Sequence, residues 1–435
     1  MLKLRRIKGV SPPHRKHTQN SPVEVLPVPK RVEIPMLMHS GKPAIPVVKP
    51  GEYVKVGQLI GELSGTISSP VHSSVSGTVK EVRTHDRVTG QKAESIIIES
   101  DGLQIHHEDL KPHPVSTLQE FLDAVRDSGA VGLGGAGFPA APKLAIKNLD
   151  ELDYILINGA ECEPYVTSDT RTMVADTEHV VDGVRLLQQF MKPRKKIVIC
   201  IEDNKPNAIE AMREGFKNDD YVEVRVLPTL YPQGERKVLV YNVTGRIVPE
   251  GARLADVGCL VSNCTTITVF SRYIKRGIPL ISKVITVDGP IVRNPKNVLA
   301  PIGTPIWELF EFCGGFTAEP GRILAGGPMM GIALPDLEVP VIKTTNAILA
   351  DVVENKNKIR ETVCIKCGRC LNVCPMSLMP PNIETAYHLK DTDEMKKLKI
   401  NMCVECGSCA YICPAKRPLV QAIQLSKQIL WETKK

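Results

Sequence analysis

Eight cysteines near the end of the 435-residue chain form two copies of one spacing. The runs are Cys364-x2-Cys367-x2-Cys370-x3-Cys374-Pro and Cys403-x2-Cys406-x2-Cys409-x3-Cys413-Pro. In this spacing, three thiolates of a tight loop bind three irons of one [4Fe–4S] cluster, and the fourth cysteine of each run binds the other cluster. The pattern predicts one-electron chemistry on two clusters, whose ligands are Cys364, Cys367, Cys370 and Cys413 for cluster 1 and Cys374, Cys403, Cys406 and Cys409 for cluster 2.

Structural zinc is the alternative for these cysteines. Zinc takes four ligands, usually from separated cysteine pairs, whereas each run here supplies four cysteines followed by proline, which favours clusters. The other five cysteines are scattered without the spacing of a disulfide framework. Beside a cluster-binding module, they indicate a reducing compartment.

A glycine-rich segment, Gly132-Leu-Gly-Gly-Ala-Gly-Phe-Pro-Ala-Ala-Pro-Lys143, is the second candidate for chemistry. Four glycines in six residues allow backbone amides to approach a phosphate closely, and Lys143 could neutralise its charge. The spacing is neither a dinucleotide fingerprint nor a Walker A loop, so a structural turn stays possible.

Two polar segments follow in the same region. An apolar strand ends in Asn158-Gly-Ala-Glu-Cys-Glu-Pro164, and Tyr231-Pro-Gln-Gly-Glu235 comes later. Ligands lie at the carboxyl ends of strands in α/β sheets. Each segment alone could be a polar turn, but together with the glycine loop they predict a flavin or nicotinamide site that feeds the clusters. Cys162 lies between two glutamates, which raise a thiol's pKa, so we expect it to be unreactive.

The elements that carry these motifs change along the chain. Residues 118–128, 180–191, 208–217 and 267–276 have helical patterns, and 154–158 and 196–201 are continuous apolar strands typical of a parallel sheet. This alternation predicts a doubly wound α/β domain. A small α+β segment and then the cysteine runs follow it.

The region before the α/β domain is rich in short β patterns. Residues 47–62 and 69–82 alternate apolar and polar side chains between glycine turns, as in the two halves of a lipoyl-type barrel-sandwich. Such carriers need a lysine on the hairpin between the halves. None occurs between Lys55 and Lys80, so we expect a structural domain without a swinging arm.

Composition narrows the function further. Aromatic residues make up only 4% of the chain, which argues against a stacking platform for nucleic acid. Residues 1–32 carry eight lysines and arginines against one glutamate, and this basic, Pro-rich arm could dock on a membrane-bound partner or simply be solvated. No apolar run has the length of a membrane span, and no signal peptide is expected.

The glycine loop with Phe138 and Lys143, the Asn-x-x-Glu-x-Glu-Pro segment and the Tyr-x-x-Gly-Glu turn resemble the FMN-binding, NADH-oxidising flavoprotein subunit of respiratory complex I. The order of parts is more similar to the C subunits of Rnf electron-transport complexes, as are Gly9-Val-Ser-Pro-Pro13 and Gly326-Gly-Pro-Met-Met-Gly331. The resemblance covers nearly the whole chain. It implies a multidomain α/β protein with an arm (1–31), a barrel-sandwich (32–110), an FMN/NADH-binding domain (111–282), a β-grasp domain (283–342) and a linker with a two-[4Fe–4S] ferredoxin module (343–435).

The resemblance also implies roles for individual residues. The FMN phosphate would be held by Gly132, Gly134, Gly135, Gly137 and Lys143. The flavin would be lined by Asn158, Glu161, Tyr231 and Asn263, with Gly234 and Glu235 in the same cofactor-binding set. The nicotinamide nucleotide would face Phe138 and Glu163. The subunit would lie peripherally on the cytoplasmic side of the cell membrane and pass electrons between NADH and ferredoxin, or another iron–sulfur subunit, for a complex that translocates Na⁺ or H⁺.

One departure from the family pattern matters. The family usually has Tyr-Pro-x-Gly-small-Glu, but here Glu235 directly follows Gly234 and Arg236 takes the glutamate position. The reversed charge puts the nucleotide contact in question. This departure leaves open an iron–sulfur relay that has lost its flavin. A soluble electron-transfer flavoprotein related to this subunit is a second alternative, although the arm 9–31 favours the membrane complex.

Overall fold

The computed structural model describes residues 7–86, 92–352 and 360–433. Its first domain is the expected barrel-sandwich, made of two antiparallel sheets with strand orders β2-β8-β7-β4 and β3-β5-β6. Val32 and Ile34 of β2 pair with Ile98 and Ile96 of β8, and all four side chains are buried between the sheets. The strands are β2 (Arg31–Pro35), β3 (Ile45–Pro46), β4 (Tyr53–Val54), β5 (Leu59–Glu62), β6 (Val71–His72), β7 (Gly77–Asp86) and β8 (Lys92–Ser100).

The α/β domain contains a parallel four-stranded sheet of order β11-β10-β9-β12. Alternate residues of its strands enter two different cores, Ile155 and Ile199 one and Leu156 and Val198 the other, so both faces are covered as in a doubly wound fold. The strands are β9 (Tyr154–Gly159), β10 (Lys196–Glu202), β11 (Val222–Leu227) and β12 (Cys259–Asn263). The helices are α1 (Leu118–Asp127), α2 (Ala140–Leu144), α3 (Ser168–Ala175), α4 (Thr177–Met191), α5 (Pro206–Gly215), α6 (Arg236–Thr244) and α7 (Cys264–Arg276).

The third domain is a mixed six-stranded sheet of order β1-β14-β13-β17-β15-β16, packed against α8. Its elements are β1 (Val23–Val25), β13 (Ser282–Asp288), β14 (Lys296–Pro301), α8 (Ile306–Phe312), β15 (Pro320–Ala325), β16 (Ile332–Ala333) and β17 (Ala347–Val352). Two sequence predictions need correction here. Strand β17 lies in the segment predicted to be a linker but pairs with β13 and β15, and β1 belongs to the predicted arm but pairs with β14.

The cysteine runs lie in a small helical module. Its helices are α9 (Arg369–Val373), α10 (Pro380–Leu389), α11 (Thr392–Lys397), α12 (Ser408–Tyr411) and α13 (Leu419–Glu432). Helix α13 closes the module by packing Ile423 and Leu430 against Ile383 of α10. Within the described ranges, no helix combines the length and apolar character needed to cross a membrane.

The basic arm folds back onto the rest of the chain. Val10 exchanges two backbone hydrogen bonds with Tyr231 (2.8 and 3.0 Å). The Lys16 ammonium is buried and donates to the backbone carbonyls of Glu161, Glu163 and Val166 at 2.5–2.8 Å. Residues 1–6 lie outside the described ranges. For residues 8–19 the prediction of a merely solvated terminus is wrong, because Lys16 binds backbone carbonyls of the α/β domain. Docking of the arm on a membrane-bound partner stays a prediction.

Candidate active site

The glycine loop joins α1 to α2. Gly132 donates to the Phe138 carbonyl (2.8 Å) and Gly137 to the Gly132 carbonyl (2.9 Å), which closes the loop. Gly135 has a φ of +103°, a conformation that favours glycine. The N–H groups of Gly134, Gly135 and Ala136 donate to no group in the described part of the chain, and these residues are exposed. Three successive amides without an acceptor among the described residues are available to bind an anion.

The underside of this loop is fixed by two other elements. Leu133 N–H donates to Thr266 Oγ1 of α7 (2.9 Å), and Lys283 Nζ of β13 donates to the Leu133 carbonyl (3.2 Å). Because C=O and N–H point in opposite directions across a trans peptide, binding the Leu133 carbonyl turns the Gly134 N–H away from Lys283. Sequence reasoning missed Lys283; its only signal was a lysine beside the apolar residues Val284 and Ile285 of the strand.

Lys143 lies in α2, the short helix that follows the glycine loop. Its ammonium forms no hydrogen bond or ion pair with any described residue, and the Arg236 guanidinium lies near it. Burial, together with Arg236, lowers the pKa of Lys143 to about 8. Two neighbouring cations that form no ion pair with any carboxylate in the described part of the chain suit a bound phosphate.

Asn158 and Gly234 connect the two polar segments. Asn158, at the end of β9, donates from Nδ2 to the Gly234 carbonyl (2.8 Å) and accepts from Ala160 N–H (3.2 Å). Gly234 N–H in turn contacts Cys162 Sγ (3.4 Å). Burial is the main cause that raises the pKa of Cys162 to about 12, ahead of the carboxylates we invoked from sequence. The thiol is therefore protonated at neutral pH.

Three predicted side chains act as helix caps. Glu161 accepts from Asp169 and Thr170 N–H (2.7 and 3.1 Å) at the start of α3. Asn263 accepts from the first amides of α7, and Glu235 accepts from those of α6. These contacts occupy the side chains that the resemblance assigns to the flavin and nucleotide. Asn263 also lies against Gly134, because a Cβ added to Gly134 would lie 3.3 Å from Nδ2 of Asn263.

Glu163 and Tyr231 lie where the α/β domain meets its neighbours. Glu163 Oε2 accepts from Met329 N–H (3.1 Å), whereas Oε1 has no hydrogen-bond partner among the described residues. The Tyr231 ring is buried, and its hydroxyl donates to the Cys406 carbonyl in the second cysteine run (2.6 Å). Phe138, assigned to the nucleotide, is half-buried at the end of the glycine loop.

The two cysteine runs exchange their fourth members. Burial raises the pKa of the Cys409 thiol most, and the neighbouring thiols of Cys403, Cys406 and Cys374 raise it further. These four also line one cavity. Around Cys370 the corresponding thiols are Cys413 and Cys367. The structure thus brings Cys374 to the second run and Cys413 to the first. In the described residues, no group of three or more His, Cys, Asp or Glu side chains is placed to hold a single metal ion.

Family models match four successive parts of the chain. They are the RnfC barrel sandwich hybrid domain (residues 4–103), the Nuo51 FMN-binding domain (125–271), the SLBB domain (284–333) and a 4Fe-4S dicluster domain (356–414).

Curated relatives match over most of the chain. It is 42% identical to the C subunit of the proton-translocating ferredoxin:NAD(+) oxidoreductase complex of Clostridium ljungdahlii, over 86% of this chain and 82% of that protein. It is 41% identical to the C subunit of the Na(+)-translocating ferredoxin:NAD(+) oxidoreductase complex of Acetobacterium woodii, over 97% and 96%. The chain belongs to the Rnf C-subunit family.

A solved structure shares the fold of this Rnf C-subunit family member. It is an NAD⁺-reducing [NiFe]-hydrogenase in the H2-reduced state, with a TM-score of 0.51, 17% identity and coverage of 72% of this chain and 61% of that chain. At this identity the likeness concerns the fold alone.

The residues of this Rnf C-subunit family member fit the cofactors that its FMN-binding and 4Fe-4S dicluster domains imply. Free loop amides and Lys143 suit the FMN phosphate, and the unpaired Glu163 Oε1 is available to a further ligand. Two sets of thiols, each drawn from both cysteine runs, suit two four-iron clusters.

Proposed function

We propose that this chain is the peripheral subunit that passes electrons between NADH and ferredoxin, or another iron–sulfur subunit, in a membrane complex that translocates Na⁺ or H⁺. It would lie on the cytoplasmic side of the membrane. The bound FMN would exchange two electrons with the nicotinamide and single electrons with the clusters. The observation that carries this proposal is the hydrogen bond from Tyr231 to the Cys406 carbonyl, because it joins the candidate flavin region to a cluster loop.

The chain's own residues have distinct parts in this function. The amides of Gly134, Gly135 and Ala136, with Lys143, would bind the flavin phosphate and orient the ring system. Asn158 would hold the Gly234 turn beside the flavin. Burial of the cluster thiolates and hydrogen bonds to their sulfurs, such as Leu378 N–H to Cys374 Sγ (3.3 Å), would tune the cluster potentials.

Anaerobic purification followed by cofactor analysis and NADH addition tests the proposal. We expect about eight irons and one acid-released FMN per chain, since two four-iron clusters accompany the flavin. NADH should bleach the flavin and cluster absorbance. A chain with the irons but without FMN, and unresponsive to NADH, would contradict the proposal.

A flavin-free iron–sulfur relay is the second candidate. It is favoured by one observation, namely that Glu235 is used to cap α6 while the exposed Arg236 takes the family's usual glutamate position. The same preparation separates the two functions. A relay would contain the irons and accept electrons from a reduced partner, but reconstitution with FMN would not confer oxidation of NADH.

A further inference from the structure

The two cysteine runs differ in their surroundings. The second run faces inward, where buried Cys406 packs with Tyr231 and Val10. The first run is exposed at its start, at Cys367 and at the neighbouring Val363 and Ile365, which are 84% and 66% exposed, whereas its last two cysteines are buried. Large apolar side chains clustered at a protein surface often mark an interaction site.

The exposed start of the first cysteine run is also positively charged. Lys366 and Arg369, the first residue of α9, are exposed and form no ion pair with any described residue. Lys416 is a third exposed cation of this kind, and the backbone hydrogen bond from Thr362 to the Ala415 carbonyl (3.0 Å) brings its segment beside the start of this run.

The neighbouring Glu361 does not cancel this charge, because it pairs with Arg417, a cation that also pairs with Glu384. The three other cations therefore stay available to a partner. Arginine and apolar side chains at the centre of a patch, with charges around it, are typical of protein interfaces.

We propose that this surface, the exit patch (Val363, Ile365, Lys366, Cys367, Arg369 and Lys416), docks an acidic iron–sulfur protein that exchanges electrons with cluster 1. The inference rests on the proposed function, and it adds which cluster meets the partner and by what chemistry. Positive charges around a redox centre steer an acidic carrier to it, while the apolar side chains exclude water once it is bound. Complexes between redox partners bury little surface and are weak, which suits a patch as small as this one.

Salt-dependent binding tests the proposal. The probe is a small two-[4Fe–4S] ferredoxin of net negative charge, titrated anaerobically onto the full, cluster-loaded chain at low salt and at about 0.3 M KCl. The double variant K366E/R369E should bind it at least about tenfold more weakly at low salt and with a shallower salt dependence. The single substitution K416E, outside the cysteine loop, should weaken binding in the same direction.

The matched control is K390E/K399E, which makes the same charge change at two exposed lysines flanking α11, outside both cysteine runs. It should bind like the wild type. Iron content and the visible spectrum establish that each variant keeps its clusters. If K366E/R369E loses cluster 1, its weaker binding cannot be assigned to the changed charges. The test then depends on K416E, which lies outside the first cysteine run.

Three results would overturn the inference. They are absence of binding to the wild type at low salt, equal weakening in the patch and control variants, and unchanged binding in K366E/R369E and K416E. Patch-dependent binding to anionic lipid vesicles, without binding to the ferredoxin, would assign the surface to a membrane instead. NADH bleaching of the flavin in the same preparations reports on the proposed function separately, because the exit patch is not needed for it.

Discussion

Among single residues of the candidate site, Glu163 has a carboxyl group whose ionisation is shifted by its surroundings. Its carboxyl group is largely buried, accepts one hydrogen bond from Met329 N–H and has one oxygen without a partner in the described chain. Burial raises the pKa of Glu163 to about 7. Near neutral pH the group is therefore divided between its protonated and charged forms, so it can act either as a hydrogen-bond donor or as an acceptor.

This shift makes stability depend on pH in a defined direction. Between the usual glutamate value of 4.5 and about 7, the folded state holds more protons at Glu163 than the unfolded state, so stability falls as pH rises through this window. Glu163→Gln removes the charge but keeps an acceptor. Near pH 4.5 its unfolding midpoint should be similar to that of the wild type. By about pH 8 the variant should be the more stable protein, with a free energy of unfolding higher by up to about 3 kcal/mol.

Thermal unfolding of the two proteins from about pH 4.5 to about pH 8 measures this difference. Exposed Glu250→Gln controls for the substitution itself and should give no such trend. A difference between Glu163→Gln and wild type that stays constant with pH would contradict the assignment.

At the scale of elements, the glycine loop depends on a strand from another domain. Lys283 of β13 is buried and binds the Leu133 carbonyl and Asn346, so it acts as a positioning residue for the Gly134 amide. Lys343 is also buried, but it binds the Gly129 carbonyl (2.8 Å), before the loop, and Pro70. Substituting each lysine in turn therefore distinguishes an effect on the orientation of the loop from an effect on the stability of the fold.

We predict that Lys283→Met weakens FMN binding by about tenfold, because one charge-assisted hydrogen bond orients the loop. Riboflavin, which lacks the phosphate, should lose much less affinity. Fluorescence titration of the deflavinated protein with each compound measures both. Lys343→Met is the control and should change both affinities to the same extent. Equal losses for FMN and riboflavin in Lys283→Met would instead indicate a merely structural lysine.

The elements also show which parts of the molecule a sequence can predict. Cysteine spacing, the glycine loop and the apolar strands β9 and β10 depend on residues close together in the chain, and sequence patterns report such local constraints. Strand β1 pairs with β14, more than 270 residues away, and Lys16 binds carbonyls near residue 163. These partners are brought together by tertiary packing, so neither a Pro-rich arm nor a lone lysine indicates them.

At the scale of the whole molecule, the arrangement of the domains predicts the order in which electrons pass from the flavin to the two clusters. The arm, the Tyr231 turn and the second cysteine run share one small core, to which the first run contributes only Val373, whereas Cys367 of the first run is exposed. Electrons from the flavin should therefore reach cluster 2 before cluster 1. The contact between Tyr231 and the Cys406 carbonyl is the shortest link between the candidate flavin region and a cluster loop that we find in the described residues.

Removing one cluster at a time tests this order. Cys367→Ala should lose cluster 1 and keep about four irons, and NADH should still reduce cluster 2, giving the electron paramagnetic resonance signal of a reduced [4Fe–4S] centre. Cys406→Ala should lose cluster 2, and NADH should then reduce the flavin but not cluster 1, because the remaining cluster lies on the outer side of the module. Dithionite, which reaches exposed centres directly, should reduce cluster 1 in that variant and so establish that it is intact. Rapid reduction of cluster 1 by NADH in Cys406→Ala would reverse the order, and the exit patch would then be the entrance for electrons from the flavin.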